Sequence, residues 1–124
     1  HNAEGAEALA SSLQEIMPGK KFSFIFGNFS DKETVAILKH LVPIAEEFLF
    51  IPIPGAYRKS RSPEELQGIL ECIAPTIESR QAENLKEALQ MQKESTITIA
   101  AGSLYLAGSV LEESGTVEKV FRLY

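Results

Sequence analysis

Groups suited to binding an anion concentrate in three turns, and each turn directly follows an apolar segment. The turns span residues 27–32, 54–61 and 102–105. They contain glycines, serines and four basic side chains, namely Lys32, Arg58, Lys59 and Arg61. Arginine binds carboxylate or phosphate through two parallel hydrogen bonds, and the amino ends of helices favour negative charge. If the turns meet in space, they predict a site for a small anionic ligand.

Each candidate residue also has a structural explanation that requires no ligand. Asp31 and Lys32 lie where a helix is predicted to begin, and an aspartate is favoured in a first turn by the helix dipole alone. Ser103, which follows a glycine, is a common type of N-cap. The basic residues between 58 and 61 are typical of a solvated loop. Spacing alone leaves both interpretations open.

Motifs for self-contained catalysis are absent from the sequence. It has no phosphate-binding loop, no G-x-G-x-x-G, no G-x-S-x-G and no Cys/His metal spacing. Asp31 is the only aspartate and His40, predicted at a surface or half-buried helix position, the only internal histidine, which argues against a catalytic triad. Cys72 follows apolar helix positions and is predicted to pack in the core. The residues alone predict anion binding and name no reaction.

The composition is that of one ordinary globular domain. The chain has 124 residues, of which 44% are hydrophobic and 23% charged, and its formal net charge is −5. The acidic balance disfavours nucleic-acid binding, and no apolar run approaches the roughly 20 residues that cross a bilayer. One cysteine cannot form an internal disulfide or a multi-cysteine zinc site. The start at His1 rather than methionine indicates a piece of a longer protein.

Periodicity and turn residues predict alternating helices and strands. Helices are predicted over residues 3–16, 30–42, 62–73, 82–93 and 104–113. Strands are predicted over residues 22–26, 48–53, 76–78, 96–101 and 117–124. Capping boxes open two of the helices, one at Ser30–Glu33 and one at Ser62–Glu65. Pro52 places the second strand near an edge or marks its end.

This alternation predicts a Rossmann-like α/β fold, with a mostly parallel sheet covered by helices on both faces. In such folds ligands bind outside the carboxyl ends of the strands. Parallel strands would bring the three turns to that same edge of the sheet. The predicted anion site therefore lies there.

Three segments resemble one enzyme family. His1-Asn2, followed by Glu4–Leu9, resembles the end of a D-G-A-H-N-P signature and its helix in the Mur ligase superfamily. Phe26–Glu33 resembles the F-G-x-x-x-D-K-[DE] segment of folylpolyglutamate and dihydrofolate synthases, and Ile99–Gly108 resembles their G-S-L-Y-L-[VA]-G segment. The resemblance implies that residues 1–124 form the carboxy-terminal, amino-acid-binding domain of a longer ligase.

The resemblance also implies a reaction. These cytoplasmic ligases use ATP and Mg²⁺ to phosphorylate a substrate carboxylate, and the amine of glutamate then displaces phosphate to form an amide. The folate or dihydropteroate site and the phosphate-loop ATPase lie in amino-terminal domains that would precede this chain. No nucleic-acid or membrane partner is expected, and the oligomeric state stays undetermined. The isolated chain is expected to be inactive.

The resemblance implies site residues at the positions that match its motifs, and an arginine from the loop after the second strand, where the pattern aligns loosely. His1 and Asn2 would contact the nucleotide. Five residues would contact glutamate: Asp31, Lys32, Arg61, Arg58 and Ser103. Arg61 is preferred over Arg58 as the carboxylate ligand. No catalytic residue and no metal ligand is assigned to this chain. The signature's proline is Ala3 here and its D-G-A portion is missing, so we expect poor ATP binding by the chain alone.

Two alternatives stay open. The domain could come from another Mur-type amino-acid ligase, although the G-S-L-Y-L segment disfavours this. It could also be a non-catalytic Rossmann-like module that binds an anionic metabolite or a partner protein. The sequence upstream of His1 separates these alternatives, because a phosphate-binding loop there supports a ligase. Whether the parent enzyme uses dihydropteroate, folylglutamates or both would depend on the domains that precede this chain.

Overall fold

In the part of the chain that the structure describes, five strands form a central sheet, and every neighbouring pair of them is parallel. A computed structural model describes residues 3–28, 33–53, 61–93, 95–102 and 120–122. The strands are β1 (Phe22–Gly27), β2 (Ala45–Phe50), β3 (Glu78–Gln81), β4 (Thr98–Gly102) and β5 (Val120–Arg122). Their order across the sheet is β3-β2-β1-β4-β5. The prediction of a mostly parallel sheet is therefore confirmed.

Helices cover both faces of this sheet. They are α1 (Ala3–Ile16), α2 (Thr34–Leu41), which continues into a 3₁₀ turn at Val42–Ile44, α3 (Pro63–Ile73) and α4 (Leu85–Gln90). One apolar cluster joins α1, α2 and α3 to one face of the sheet, and a second joins α4 to the other. The Rossmann-like α/β architecture predicted from the sequence is confirmed.

Aromatic side chains fill the larger of the two clusters. Five phenylalanines are fully buried there: Phe22, Phe24, Phe26, Phe48 and Phe50. The Phe48 ring stacks between those of Phe24 and Phe50, with ring centroids 5.6 and 5.4 Å apart. Because both faces of a parallel sheet are buried, its strands are continuous apolar runs, as in residues 22–26. This explains why β1 could be recognised from the sequence.

A buried polar network lies on the opposite face of the sheet, near the amino ends of the strands. Glu47 is completely buried and its carboxylate accepts hydrogen bonds from Arg80 Nε at 3.2 Å, Arg80 Nη2 at 3.0 Å and Ser23 Oγ at 3.0 Å. Arg80 Nη2 also donates to the Met91 carbonyl at 2.9 Å. The network joins β1, β2 and β3 to the turn that follows α4. Within the described part of the chain, the buried Thr98 hydroxyl has no hydrogen-bond partner.

One of the two predicted capping boxes is formed. At α3, Ser62 Oγ accepts from the Glu65 amide at 3.1 Å, and Glu65 Oε1 accepts from the Ser62 amide at 3.2 Å. The box predicted at Ser30–Glu33 does not open α2, because the helix begins at Thr34 and Glu33 is its N-cap, without a side-chain cap. Ser30, Asp31 and Lys32 lie outside the described residues. At this later helix start, the Thr34 hydroxyl accepts hydrogen bonds from the side chains of Asn28 and Arg61.

The bounds of β2 and β3 differ from those predicted. β2 spans Ala45–Phe50 rather than residues 48–53, because the buried pair with Arg80 lets Glu47 enter a strand. Pro52 follows the end of β2, which is an inner strand, so of the two alternatives only the strand end is correct. β3 (Glu78–Gln81) replaces the predicted strand over residues 76–78. Its four residues are all polar, and no apolar pattern marks such an edge strand.

The remaining elements agree in part with the predictions. α4 is shorter than the predicted helix over residues 82–93, because the Ala82 amide still donates to Phe50 O and Asn84 caps the helix. β4 and β5 lie within the predicted strand ranges except at Gly102. The helix predicted over residues 104–113 lies outside the described residues.

The exposure of Cys72 and His40 can be compared with the predictions. Cys72 is exposed, so its predicted core position is wrong: α3 buries Leu66 and Leu70, and Cys72 points away from them. His40 is half-buried near the end of α2, as expected. Among the described helices, none combines the length and the apolarity that a membrane span requires.

Candidate functional site at the carboxyl edge of the sheet

The strand order defines where a ligand would bind. From β1 the chain continues outwards to β2 and β3, and then returns to place β4 on the other side of β1. The last residues of β1 and β4, Gly27 and Gly102, are paired in register. Connections that leave two adjacent strands in opposite directions open a crevice at their carboxyl ends, which is the usual ligand position in open α/β sheets.

Three polar residues meet beside this crevice, and each comes from a different segment. Asn28 directly follows β1, Thr34 begins α2, and Arg61 precedes the cap of α3. Asn28 Nδ2 donates to Thr34 Oγ1 at 3.1 Å, Arg61 Nε donates to the same oxygen at 2.8 Å, and the Arg61 amide donates to Asn28 O at 2.9 Å. Asn28 is fully buried and Thr34 is 2% exposed, so these bonds are shielded from water.

Arg61 brings a positive charge to this edge. Its side chain is 24% exposed and its Nη1 lies 3.7 Å from Glu65 Oε2, one turn into α3. The Ser62–Glu65 capping box fixes the backbone immediately after it. A guanidinium that is held at Nε and remains partly exposed can bind a carboxylate or phosphate from solution.

Among the described residues, two clefts are lined in part by α3. An apolar groove of about 450 Å³ runs along α2 and α3 from Arg61 and Glu65, past Val35, Gly68, Ile69 and Ile73, to Cys72. A second cleft of similar volume lies at the carboxyl ends of β2 and β3 and is lined in part by three glutamates: Glu64, Glu83 and Glu87. The glutamates disfavour an anion in the second cleft. The edge beside Asn28 and Arg61 is therefore a better anion site than this second cleft.

Of the residues predicted for the site, the described part of the chain contains only Arg61. His1, Asn2, Asp31, Lys32, Arg58 and Ser103 lie outside it. Asn28 and Thr34 were not singled out from the sequence, although both follow from the general position of ligand sites after parallel strands. Within residues 3–28, 33–53, 61–93, 95–102 and 120–122, no group of three or more His, Cys, Asp or Glu side chains could hold a metal ion.

The fold and this edge together define a Rossmann-like α/β domain with an anion-compatible carboxyl edge. No protein-family model matches the sequence, and no curated protein matches it. Solved structures do match, and folylpolyglutamate synthases are among them. The enzyme from Thermotoga maritima is 27% identical, with a TM-score of 0.78 over 96% of this chain.

Two further structures extend the likeness. FolC of E. coli in complex with ADP is 18% identical, with a TM-score of 0.72 over 94% of this chain. The bifunctional folylpolyglutamate synthase/dihydrofolate synthase of Yersinia pestis, complexed with AMPPNP and a Mn ion, is 22% identical, with a TM-score of 0.65 over 90% of this chain. At these identities the likeness concerns the fold alone.

The resemblance inferred from the sequence is therefore confirmed in the fold, which matches the carboxy-terminal domain of folylpolyglutamate synthases. The chain spans only 27% of the Thermotoga and E. coli proteins and 26% of the Yersinia protein. It corresponds to about a quarter of each.

Proposed function

We propose that this chain is the amino-acid-binding domain of an ATP-dependent folylpolyglutamate or dihydrofolate synthase, in which it receives L-glutamate. The observation that carries the proposal is the position of Arg61: a half-buried guanidinium held at the carboxyl edge of β1, beside the crevice between β1 and β4. The likeness to folylpolyglutamate synthases supports it over another Mur-type ligase and over a non-catalytic module.

Glutamate suits such an edge because it carries two carboxylates and one amine. Arg61 binds one carboxylate by a charge-assisted, bidentate pair. Ser103 and Arg58 contribute further donors, and Asp31, with Lys32 beside it, orients the amine or the arginine. The assignments of Asp31, Lys32 and Ser103 follow the sequence motifs, whereas the two arginines are chosen from the loop after β2, where the family pattern aligns loosely.

In the proposed reaction, ATP phosphorylates the carboxylate of a folate-type substrate to an acyl phosphate. The amine of glutamate attacks the acyl carbon, the carbon–oxygen bond to phosphate breaks, and an amide forms. The nucleophile is the substrate's own amine, so this domain contributes proximity and orientation rather than a reacting group. His1 and Asn2 contact the nucleotide, while other domains of the longer protein bind most of ATP, its Mg²⁺ and the folate. The enzyme acts in the cytoplasm.

The proposal is tested by steady-state kinetics of the longer protein that contains this chain. Arg61→Ala is expected to raise the KM for glutamate by about ten- to a hundredfold, equivalent to about 1.5–3 kcal/mol for hydrogen bonds to a charged group. The KM for ATP is expected to stay unchanged. Ser103→Ala and Asp31→Ala should act in the same direction.

Lys39→Ala is the matched control, because it also removes one positive charge. Lys39 lies in the last turn of α2, which leads away from the carboxyl edge. If Lys39→Ala raises the KM for glutamate as much as Arg61→Ala does, the effect comes from the loss of net positive charge, and the proposal is refuted. An unchanged KM in Arg61→Ala would refute it as well. Glutamate-dependent phosphate release by the isolated chain would refute the assignment of ATP to other domains.

A further inference from the structure

The Thr34 hydroxyl accepts hydrogen bonds from two side chains, one from a residue that precedes it in the sequence and one from a residue that follows it. Asn28 Nδ2 donates from the end of β1 at 3.1 Å, and Arg61 Nε donates from the start of the α3 cap at 2.8 Å. A hydroxyl oxygen has two lone pairs, so it can accept both bonds at once. Thr34 thus joins the end of β1, six residues before it, to the residue that precedes the cap of α3, 27 residues after it.

The bond to Nε has a particular consequence for the guanidinium. The guanidinium is planar and rigid, so fixing Nε restricts the direction in which its two terminal nitrogens point. An arginine side chain otherwise loses up to about 2 kcal/mol of rotamer entropy when it is ordered by a ligand. A side chain that is already ordered in the unliganded protein avoids part of that cost.

Burial protects the hydrogen bonds to Thr34 from competition by water. Thr34 is 2% exposed and Asn28 is fully buried, so water competes poorly for the shared oxygen. The Arg61 amide also donates to Asn28 O at 2.9 Å, so both the backbone and the side chain of Arg61 are attached to the same pair of residues.

We infer that Thr34 is a positioning residue of the glutamate subsite: its hydroxyl orients the Arg61 guanidinium toward the carboxylate of the substrate. The inference deepens the proposed function and rests on it. Thr34 itself touches no substrate, and neither the sequence motifs nor the resemblance assigns it a role.

The test uses the longer protein that contains this chain, assayed for ADP release with glutamate, ATP and either dihydropteroate or a folylmonoglutamate. Thr34→Val keeps the shape of the side chain and removes the hydroxyl. We expect it to raise the KM for glutamate about tenfold, with kcat and the KM for ATP within about twofold of wild type. Thr34→Ser restores the hydroxyl, and we expect a KM within about twofold of wild type.

A second variant covers the case in which Thr34→Val does not fold. Arg61→Lys keeps the charge at a partly exposed position and removes the Nε donor. We expect it to raise the KM for glutamate nearly as much as Arg61→Ala does. If Arg61→Lys instead binds glutamate like the wild type, the oriented guanidinium is dispensable and the inference is wrong.

The remaining outcomes separate the inference from the proposed function. If Arg61→Ala raises the KM for glutamate and Thr34→Val does not, the inference fails and the proposed function stands. If Thr34→Val lowers the melting temperature and changes kcat and both KM values alike, Thr34 is only structural and the inference fails. If the wild-type protein releases no ADP in response to glutamate, the proposed function fails and the inference fails with it.

Discussion

Replacing Glu47 by glutamine tests how the sheet tolerates a buried charge. The Glu47 carboxylate is completely buried and accepts hydrogen bonds from Arg80 and from Ser23, all between 3.0 and 3.3 Å. Removing one partner of a buried ion pair costs about 3–5 kcal/mol. Arg80, however, is 33% exposed and keeps its bond to Met91 O, so water and that carbonyl still stabilise its charge. We therefore expect Glu47→Gln to cost about 2–3 kcal/mol.

Thermal and urea unfolding followed by far-ultraviolet circular dichroism measure this cost, and the chain has no tryptophan to follow by fluorescence. A loss of this size lowers the melting temperature by roughly 10 °C for a domain of this length. Glu46→Gln is the matched control, because Glu46 is an exposed neighbour whose carboxylate accepts from Thr96 Oγ1, as a glutamine oxygen also can. We expect it to cost less than about 0.5 kcal/mol. If Glu47→Gln and Glu46→Gln lower the free energy of unfolding equally, the burial of Glu47 does not explain the cost.

Further substitutions test the packing of the core and the backbone at two glycines. Phe48→Ala is expected to cost about 3–5 kcal/mol in urea unfolding, since its ring stacks between two others in the core, whereas exposed Val35→Ala should cost less than about 0.5 kcal/mol. Gly68→Ala should stabilise the protein by about 0.5–1 kcal/mol, because a Cβ there meets open space within α3. Gly19→Ala should destabilise it, because Gly19 has a φ of +76°. A loss of stability in Gly68→Ala or a gain of stability in Gly19→Ala would contradict this account.

Elements whose stability comes from apolar burial could be predicted from the sequence. The bounds of α1 were predicted to the residue, and those of β1 to within one residue, because helical spacing and a continuous apolar run mark the faces that meet the core. The same reasoning failed for β3, whose residues Glu78–Gln81 are all polar. That strand depends on its pairing with β2 and on the Arg80–Glu47 ion pair across the two strands. Such long-range contacts leave no periodic pattern.

The candidate site shows the same division. Arg61 was predicted because an arginine in a turn after a strand has an evident chemistry. Asn28 and Thr34 were not, because a polar residue is expected to be exposed unless a partner is known, and Arg61, one of the two partners of Thr34, is 27 residues away from it. The helix start predicted at Ser30 has a related origin: the capping motif considers four adjacent residues, while α2 begins at Thr34, whose hydroxyl accepts from Asn28 and from Arg61, 27 residues away.

The central claim is that Arg61 binds a carboxylate of glutamate at the carboxyl edge of the sheet. A crystal structure of the longer protein with glutamate and a non-hydrolysable ATP analogue measures this directly. The account predicts a glutamate carboxylate within about 2.7–3.2 Å of the Arg61 guanidinium nitrogens, with the Arg61 Nε bond to Thr34 retained. Glutamate bound elsewhere, or bound at this edge with Arg61 turned away from it, would contradict the claim.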